Sequence, residues 1–381
     1  MKILVSAGEA SGDQYAARLV EVLKRRLDGA EFFGCAGPRL RAAGVRAVVD
    51  AEKLAVVGLV EVVAHLPRIY GEFRRLARAA EAERPALAIL TDSPDFHLRL
   101  ARKLHRLQIP VVYLIAPQAW AWRAWRVRAM RRVLTRLLCI FPFEEAFFRR
   151  HGIDAHYIGH PLAGAVAPSL GRAEFFRKHR LPAERPLIVA LPGSRRGEAA
   201  RHLPVLLQVV RQLNAWRAMS FVLAASATTG KPFFERLLAG SEIRVAEGET
   251  WNALAHADLA LVASGTAAIE AALLETPMIT FYRVHPASWF LGKRFLHVPF
   301  FNMVNVLAQR KLVPELIQNQ YTADKLTAEA RRLLEDPARL AAMRRELGEW
   351  RKTLAGSEQA MERAATLVEE VLRLEPAAVR S

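Results

Sequence analysis

The sequence predicts an α/β fold of two doubly wound parallel-sheet domains that face a cleft, followed by C-terminal helices. Continuous apolar runs, typical of buried parallel strands, are each followed by a loop of small residues and then by a helical pattern. This strand–loop–helix unit opens the chain and begins again near Pro186. The length of 381 residues suits two domains of ordinary size. Both domains are therefore expected to be Rossmann-like.

The first domain is predicted to comprise residues 1–163. Apolar runs at 2–5, 87–90 and 111–115 predict three of its strands, and each run leads into a loop that contains small or polar residues. The helix predicted after the first loop has an apolar face, which would pack against the sheet.

The second domain is predicted to comprise residues 164–345, after a connector at 159–183 that contains three prolines. Residues 346–381 are predicted to be C-terminal helices that return to the first domain. Four strands of the second domain are predicted from apolar runs, at 187–191, 220–225, 243–245 and 258–263.

The composition is that of a globular protein in a reducing compartment. The chain is 52% hydrophobic and 24% charged, and its two cysteines, Cys35 and Cys139, cannot form a disulfide framework. No spacing of Cys and His predicts a zinc site. The apolar run at 3–5 is too short for a signal-peptide core, and no stretch approaches the ~18 apolar residues of a membrane span. A cytoplasmic location is therefore expected.

The net charge of +17, from 55 Lys and Arg against 38 Asp and Glu, is unusually high. Such an excess favours an anionic partner, which is a nucleic acid, an anionic membrane surface or a phosphorylated ligand. A generally basic proteome is the alternative explanation.

Two loops of the second domain predict a nucleoside diphosphate site. Ligands of open α/β sheets bind beyond the carboxyl ends of the strands, where helix N-termini present free N–H groups. An arginine and small residues suit a diphosphate, and a carboxylate one helical turn further suits the vicinal hydroxyls of a ribose. An ordinary turn and ordinary helix caps are the alternative for each loop. The predicted contacts are Gly193, Ser194, Arg195, Ser264, Gly265, Thr266 and Glu270.

Two loops of the first domain are candidates for a second ligand. Residues 8–13 combine two glycines and a serine before a helix, and residues 91–97 place Asp92 and Asp95 after a buried strand. A carboxylate at this edge could act as general base toward a hydroxyl. Helix capping is the alternative for Asp92, Asp95, Glu9 and Asp13. The histidines His97, His160 and His285 are expected to be structural.

Two basic stretches of the sequence indicate what kind of anionic partner the chain binds. Residues 119–136 contain three tryptophans and six arginines without an acid, which suits single-stranded nucleic acid or an amphiphile with a phosphate headgroup. Residues 54–78 combine excess apolar residues with arginines, which is typical of a helix lying on a membrane surface. A core helix with a solvated end is the alternative. The predicted membrane contacts are Val57, Val60, Val62, Val63, Leu66, Ile69 and Tyr70.

The chain resembles the lipid-A-disaccharide synthase family at motifs that occur in order along nearly its whole length. The motifs are AGEASGD at 7–13, AGP at 36–38, LAVVG at 54–58, SPDF at 93–96, APQAWAWR at 116–123, FPFE at 141–144, GHP at 159–161, LPGSR at 191–195, SGTAAIE at 264–270 and VNVL at 304–307. The chain departs from the family at His97, which is often Asn, and at 300–303, which place Asn302 near Asn305.

The resemblance implies the GT-B fold and an inverting glycosyltransferase. The donor would be UDP-2,3-diacylglucosamine and the acceptor 2,3-diacylglucosamine 1-phosphate, with the β-1,6 disaccharide phosphate and UDP as products. No metal or other cofactor is expected, because Arg195 and helix N-termini would neutralise the diphosphate. The catalytic residues would be Asp95 as the base, Arg195 and Asn305, and the acceptor contacts Glu9, Ser11, Gly12, Trp122 and Arg123.

The enzyme would attach peripherally to the cytoplasmic face of the inner membrane, through residues 54–78. A homodimer is one candidate for its oligomeric state. Two other functions are compatible with parts of the sequence. A UDP-N-acetylglucosamine 2-epimerase shares the fold and the nucleotide loops but needs no membrane patch. A nucleic-acid-binding protein would explain the charge but not residues 264–270, so no nucleic-acid partner is predicted.

Overall fold

A computed structural model describes residues 1–51, 59–119, 125–226, 229–284, 289, 299–354 and 359–374. The chain divides into two compact units, Met1–Gly164 with Gly356–Ser381 and Ala165–Ala355. Each unit is built on one parallel sheet with helices. This architecture confirms the predicted class of two doubly wound α/β domains.

The first unit contains a seven-stranded sheet in the order β3-β2-β1-β4-β5-β6-β7. Its strands are β1 (Lys2–Ala7), β2 (Glu31–Ala36), β3 (Arg46–Asp50), β4 (Leu87–Thr91), β5 (Val111–Leu114), β6 (Arg136–Cys139) and β7 (Ala155–Tyr157). Its helices are α1 (Ala10–Arg26), α2 (Pro38–Ala42), α3 (Leu59–Glu83), α4 (Pro94–Arg106), α5 (Trp125–Val133), α6 (Pro142–Arg150) and α15 (Ala360–Leu374). One core cluster packs buried side chains of α3, α4, α5 and α6 against the sheet, including Leu76, Leu100, Met130 and Phe148.

The second unit contains a six-stranded sheet in the order β10-β9-β8-β11-β12-β13. Its strands are β8 (Leu187–Leu191), β9 (Ser220–Ala225), β10 (Arg244–Glu247), β11 (Leu259–Ala263), β12 (Met278–Tyr282) and β13 (Glu315–Ile317). Its helices are α7 (Arg172–Lys178), α8 (Arg196–Trp216), α9 (Lys231–Leu237), α10 (Thr250–His256), α11 (Thr266–Leu273), α12 (Met303–Ala308), α13 (Ala323–Leu334) and α14 (Pro337–Lys352).

Six strands were not identified from the sequence: β2, β3, β6, β7, β12 and β13. Several of them are short or carry polar residues, so they lack the long apolar run that marks a central strand. β3 and β13 lie at the sheet edges, where β3 has the exposed residues Arg46 and Ala47 and all three residues of β13 are half-buried.

The boundary predicted at residue 346 falls inside a continuous helix. α14 runs on to Lys352 and packs against α11 and α13, with Met343, Leu347 and Trp350 buried. The second unit therefore extends to Ala355. A domain boundary at 346 would separate the apolar face of α14 from the two helices against which it packs.

The last helix, α15, packs against α1 of the first unit, more than three hundred residues earlier in the chain. Arg136 on β6 anchors it from the sheet. Its guanidinium donates to the Leu367 carbonyl at 3.0 Å and pairs with Glu370 at 2.6 Å and with Asp154 at 2.8 Å. At the surface, Arg25 pairs with Glu362 at 2.9 Å. Polar groups from both ends of the chain thus hold α15 in place.

We expect Arg136→Met to lower the free energy of unfolding by about 2 kcal/mol, because the side chain of Arg136 is 10% exposed and its removal leaves two carboxylates and a carbonyl without their donor. Arg25→Met is the matched control. Its side chain is 63% exposed, so its loss should cost less than about 1 kcal/mol. Urea titration of both variants measures the difference, and equal midpoints would contradict the anchoring role of Arg136.

Candidate functional site

In each unit, the predicted ligand loops lie where the strand order of the sheet reverses. In the first unit the reversal falls between β1 and β4, and in the second between β8 and β11. The helices after these paired strands leave toward opposite faces, so a crevice opens between the two loops at the carboxyl edge. The loops at 8–13, 91–97, 192–198 and 264–270 are those that follow these four strands. The structure therefore brings the predicted loops together in two pairs.

The loop after β8 has a backbone conformation that requires glycine. Gly193 has a φ of +123°, and a Cβ atom there would lie 2.6 Å from the carboxyl carbon of Glu198. The backbone of Arg195 and the hydroxyl of Tyr282 favour the ionised form of the Glu198 carboxyl. Arg195 is the N-cap of α8, so Glu198 occupies the position from which a capping-box carboxylate reaches back. Ser194 is exposed at the tip of the loop.

Burial raises the pKa of the Glu198 carboxyl, while the positive charge of Arg195 opposes the shift. The same burial raises the pKa of the Tyr282 hydroxyl, and the negative charge of Glu198 adds to that shift. Arg195 is thus held beside a carboxyl–phenol pair at the amino end of a long helix. The guanidinium and the helix end together favour an anion at this point.

His202 on α8 joins this loop to the end of β12. Its Nδ1 donates to the carbonyl of Pro192 over 2.8 Å, and its Nε2 accepts from the backbone N–H of Arg283 over 3.0 Å. Burial lowers the pKa of the imidazole, which is consistent with a neutral ring that donates at one nitrogen and accepts at the other. The loop that carries Arg195 is therefore fixed at its base.

The loop after β11 presents its residues at the start of α11. Ser264 donates its backbone N–H to the Phe281 carbonyl over 2.8 Å, while Gly265 and Thr266 are exposed. Glu270 lies one turn into the helix, and burial raises the pKa of its carboxyl to about 7. The side chain of Trp251 favours the ionised form of this carboxyl and so opposes the rise of its pKa. Glu270 is therefore a half-buried carboxyl near its point of titration at neutral pH.

In the first unit, Asp92 ties the two loops together. Its carboxylate accepts the backbone N–H groups of Gly8 at 2.8 Å and Glu9 at 3.0 Å. Its main-chain carbonyl accepts from the Tyr113 hydroxyl and from Nδ1 of His97. Burial, reinforced by the charge of Glu9, raises the pKa of the Asp92 carboxyl well above its usual range. Asp92 is thus a half-buried clasp between the loops that follow β1 and β4.

The turn that carries the clasp is strained. Asp92 and Ser93 have φ values of +55° and +35°, and two consecutive non-glycine residues in this region cost roughly 1–3 kcal/mol each. The hydrogen bonds to the side chain and main chain of Asp92 hold this conformation. The prediction that His97 is structural fits its surroundings, because its Nε2 lies 2.7 Å from the Ser6 hydroxyl and burial lowers its pKa to about 4.

Gly12, predicted to contact the acceptor, makes room for the clasp. A Cβ atom on Gly12 would lie 1.7 Å from Oδ2 of Asp92. Glu9 and Ser11 are half-buried near it in the chain. Asp13 accepts the backbone N–H groups of Gly37 and Arg39, both over 2.8 Å, and so caps α2, which was the alternative given for it.

Asp95, three residues beyond Asp92, has the opposite surroundings. It lies in the first turn of α4 with its side chain 71% exposed, and it forms an ion pair with Arg126. The side chain of Arg126 is only 5% exposed on α5, so the cation is fixed and the carboxylate reaches solvent. Of the two predicted carboxylates, Asp95 is the accessible one.

Asn305 does not have the free amide that contact with a substrate would need. Its Nδ2 donates to the Val313 carbonyl at 2.8 Å and to Glu315 at 2.7 Å, and its Oδ1 accepts from the backbone N–H groups of Leu312 and Val313. An amide side chain has about these four positions. Its role in this structure is to brace the segment before β13. Asn302 caps α12 through Oδ1, and its buried Nδ2 has no hydrogen-bond partner among the residues that the structure describes.

Other predicted residues are only partly described. Trp122, Arg123 and Val57 lie outside the described residues, as do the side chains of Val60, Val62, Val63 and Leu66. Ile69 is half-buried and Tyr70 is 60% exposed on α3. Within the described ranges, no helix has the length and apolar character to span a bilayer, and no group of three or more His, Cys, Asp or Glu side chains could hold a metal ion.

The two parallel-sheet domains, each with paired loops at its strand reversal, define a two-domain fold of the GT-B type. The chain aligns with the calicheamicin glycosyltransferase CalG4 at a TM-score of 0.61 and 18% identity, over 98% of each chain. It aligns with a UDP co-structure of S. aureus MnaA at a TM-score of 0.67 and 12% identity, over 98% and 97%. At these identities the likeness concerns the fold alone.

Sequence relatives identify the family. A family model described as lipid-A-disaccharide synthetase matches residues 3–371. The chain is 62% identical to the lipid-A-disaccharide synthase of Solibacter usitatus, over 97% of both chains, and 42% identical to that of Koribacter versatilis, over 97% and 98%. The chain belongs to the lipid-A-disaccharide synthase family. This membership decides against the 2-epimerase and the nucleic-acid-binding protein as explanations of the sequence.

Sequence reasoning did not single out four residues that hold the candidate site: Arg126, Glu198, Tyr282 and Trp251. Glu198 could have been found, because it follows the N-cap Arg195 at the spacing of a capping box. Arg126 was one of six similar arginines in its stretch. Tyr282 and Trp251 reach the site from elements far along the chain, and no local pattern marks them.

We expect Gly12→Ala to destabilise the first unit by about 2–3 kcal/mol, because the added methyl would collide with the Asp92 carboxylate. The clash outweighs the roughly 1 kcal/mol by which Ala favours a helix over Gly. Gly171→Ala is the control, since a Cβ atom there meets nothing within 4 Å. Thermal denaturation compares the two, and a Gly12→Ala protein as stable as the control would contradict the clasp.

Proposed function

We propose that the chain transfers 2,3-diacylglucosamine from its UDP conjugate to the 6-hydroxyl of 2,3-diacylglucosamine 1-phosphate. The products would be the β-1,6-linked disaccharide 1-phosphate and UDP, with inversion at the anomeric carbon. Members of this family are hexosyltransferases that act on a UDP-sugar and a phosphorylated glucosamine lipid. The observation that carries the residue assignment is the pairing of the Arg195 and Glu270 loops at the β8/β11 reversal.

The second unit would bind the UDP portion of the donor. The diphosphate would contact Gly193, Ser194 and Arg195 at the amino end of α8, where the backbone comes close without a side chain in between. The exposed residues Gly265 and Thr266 would contribute contacts from the start of α11. The carboxylate of Glu270 would accept hydrogen bonds from the two ribose hydroxyls. This arrangement would use a cation, two helix ends and a carboxylate from the loops that follow β8 and β11.

Arg195 would stabilise the leaving group. As the bond between the anomeric carbon and the phosphate oxygen breaks, the diphosphate keeps the electron pair and gains negative charge. A fixed guanidinium and helix N–H groups offset that charge without reorganisation. We therefore propose that transfer needs no metal ion, and that a chelator leaves the rate unchanged.

Asp95 would be the general base in the first unit. Its exposed carboxylate would take the proton from the 6-hydroxyl while the oxygen attacks the anomeric carbon and UDP departs. The buried Arg126 would keep the carboxylate in one orientation. Asp92 is less suited to this role, because both of its oxygens accept backbone N–H groups and it is largely covered. One direct displacement with one base accounts for inversion.

We expect Asp95→Asn to impair the chemical step and Arg195→Ala to impair UDP binding. Asp95→Asn should lower kcat by about 10²–10⁴-fold and leave UDP affinity nearly unchanged, because it removes only the proton acceptor. Arg195→Ala should weaken UDP binding about 10–100-fold, the range for a lost charge-assisted hydrogen bond. Calorimetry with UDP and a transfer assay in detergent measure both. Full turnover by Asp95→Asn would exclude this residue as the base.

We also propose that the first unit contacts an anionic membrane surface on the cytoplasmic side, where both lipid substrates would be collected. Helices α3 and α4 pack together, as do α4 and α5. The outer faces of these three helices carry exposed arginines, and the Arg74 guanidinium lies 5.9 Å from the centre of the Tyr70 ring. The exposed arginines are Arg68, Arg74, Arg75, Arg78, Arg99, Arg102, Arg106, Arg128, Arg131 and Arg132.

Replacing Arg74, Arg75 and Arg78 together with Ser should weaken binding to phosphatidylglycerol vesicles by about 100-fold at low salt, since each basic residue near the surface adds about 1 kcal/mol. A control variant should bind almost as wild type, because it removes the same charge from the second unit at Arg211, Arg236 and Arg339. Vesicle sedimentation measures the affinities. Equal losses in both variants would indicate that net charge alone drives binding, with no dedicated surface.

A further inference from the structure

The peptide that joins Pro192 to Gly193 is held in one orientation by a buried histidine, His202. Nδ1 of this histidine, in the second turn of α8, donates to the Pro192 carbonyl over 2.8 Å. A trans peptide points its carbonyl and its N–H in opposite directions, so the same bond turns the N–H of Gly193 away from the buried ring. We infer that His202 is a positioning residue, which aims the Gly193 N–H at the diphosphate of a bound nucleoside diphosphate. The inference rests on the proposed function, in which this loop contacts that diphosphate.

The imidazole of His202 has a defined place because other side chains surround it. His202 is fully buried. The rings of Phe281, Tyr282 and Tyr321 meet it edge to face, with distances between ring centres of 5.2, 5.5 and 5.5 Å. The Tyr321 hydroxyl also donates to the main-chain carbonyl of His202 over 2.9 Å. The ring therefore cannot turn away from the Pro192 carbonyl without displacing its aromatic neighbours.

The second ring nitrogen determines where the imidazole carries its proton. Nε2 of His202 accepts the backbone N–H of Arg283 over 3.0 Å, just after β12. An acceptor at Nε2 leaves the proton of a neutral ring at Nδ1, which is the nitrogen that faces the Pro192 carbonyl. Arg283 is itself anchored, because its guanidinium donates to the carbonyls of Gln318 and Tyr321. The segment after β12 thus keeps His202 in the form that donates to Pro192.

The N–H of Gly193 suits an oxygen of a diphosphate. Gly193 is half-buried in the loop that leads into α8, and its φ of +123° lies in the region that favours glycine. It has no side chain to cover its own N–H. Among the residues that the structure describes, this N–H has no hydrogen-bond partner. Backbone N–H groups that precede a helix are typical donors to phosphate oxygens. The bond from His202 therefore orients a donor that a bound diphosphate would use.

Two substitutions separate the two hydrogen bonds of the ring. His202→Asn places an amide nitrogen where Nδ1 lies, so it can still donate to the Pro192 carbonyl. His202→Gln places its amide at the level of Nε2, so it can accept from Arg283 but leaves the Pro192 carbonyl without a donor. Both variants put an amide into the same buried site, so they are matched in polarity. His256→Asn is the control, since His256 is a half-buried histidine of the same unit, with Nε2 2.8 Å from the Leu170 carbonyl.

The test measures the dissociation constants of UDP and of uridine by calorimetry and NMR titration. Their ratio isolates the diphosphate contacts, because the two ligands share the base and the ribose. We expect His202→Gln to lower the preference for UDP about tenfold, the effect of losing a hydrogen bond to a charged group. His202→Asn should keep the preference within about threefold of the wild type, and His256→Asn should leave it unchanged. Uridine should bind all three variants as it binds the wild type.

The outcomes separate the inference from the function on which it rests. If His202→Gln keeps the wild-type preference while Arg195→Ala loses it, the role of His202 is overturned and the diphosphate site stands. Equal losses in His202→Gln and His202→Asn would also overturn it, because a residue that acts only through packing would give that result. If Arg195→Ala keeps the preference for UDP, the diphosphate site itself fails, and the inference fails with it.

A second measurement needs no substitution, so it does not depend on the folding of a variant. In the wild type labelled with ¹⁵N, saturation with UDP should shift the amide signal of Gly193, whereas uridine should leave this signal nearly in place. The ¹⁵N signals of the His202 imidazole should show the proton at Nδ1. If UDP leaves the Gly193 amide where it was, or if the proton of the ring is at Nε2, the inference is wrong.

Discussion

Each sheet reverses its strand order once, and that reversal constrains where a ligand has room. Elsewhere along the carboxyl edge, successive crossovers leave to the same face and their loops close over one another. At β1/β4 and β8/β11 the crossovers diverge, and loops that are far apart in sequence become neighbours. The hydrogen bond between Gly8 and Asp92, 84 residues apart, is a direct result. The positions of the candidate site residues are therefore set first by topology and only then by side-chain chemistry.

Within that constraint, burial assigns different tasks to similar side chains. Asp92 and Asp95 belong to one turn, yet one is covered and bonded to backbone amides while the other meets solvent beside a fixed guanidinium. Glu198 and Glu270 show a similar division in the second unit. Glu198 lies against Gly193 in the loop after β8, and Glu270 lies half-buried in the helix after β11. In each pair, one carboxylate stabilises a loop, and the other stays available to contact a substrate.

Much of the fold was predictable from sequence because central parallel strands are recorded as continuous apolar runs. The runs at 187–191 and 220–225 coincide with β8 and β9 to the residue. Edge strands such as β3 and β13 were not predicted, since a half-exposed strand lacks a continuous apolar run. The four loops were located because each follows a recognisable strand and precedes a helix.

The roles of individual residues were less predictable, because they depend on contacts between distant segments. Position 12 requires glycine because the carboxylate of Asp92, 80 residues away, occupies the space of a Cβ atom. Nothing near Gly12 in the sequence indicates this contact. Asn305 looks like a substrate contact from its motif, but four hydrogen bonds within the unit use its amide.

The return of α15 to α1 has a consequence for how the protein is made. A chain leaving the ribosome folds its N-terminal portions first, domain by domain. Here the guanidinium of Arg136 and the outer side of α1 stay without their final neighbours until the last few dozen residues have emerged. The second domain is continuous in sequence, so it can finish folding before the first domain has received α15. The domain that begins the polypeptide is thus the one completed last, and its nascent surface is what chaperones would encounter.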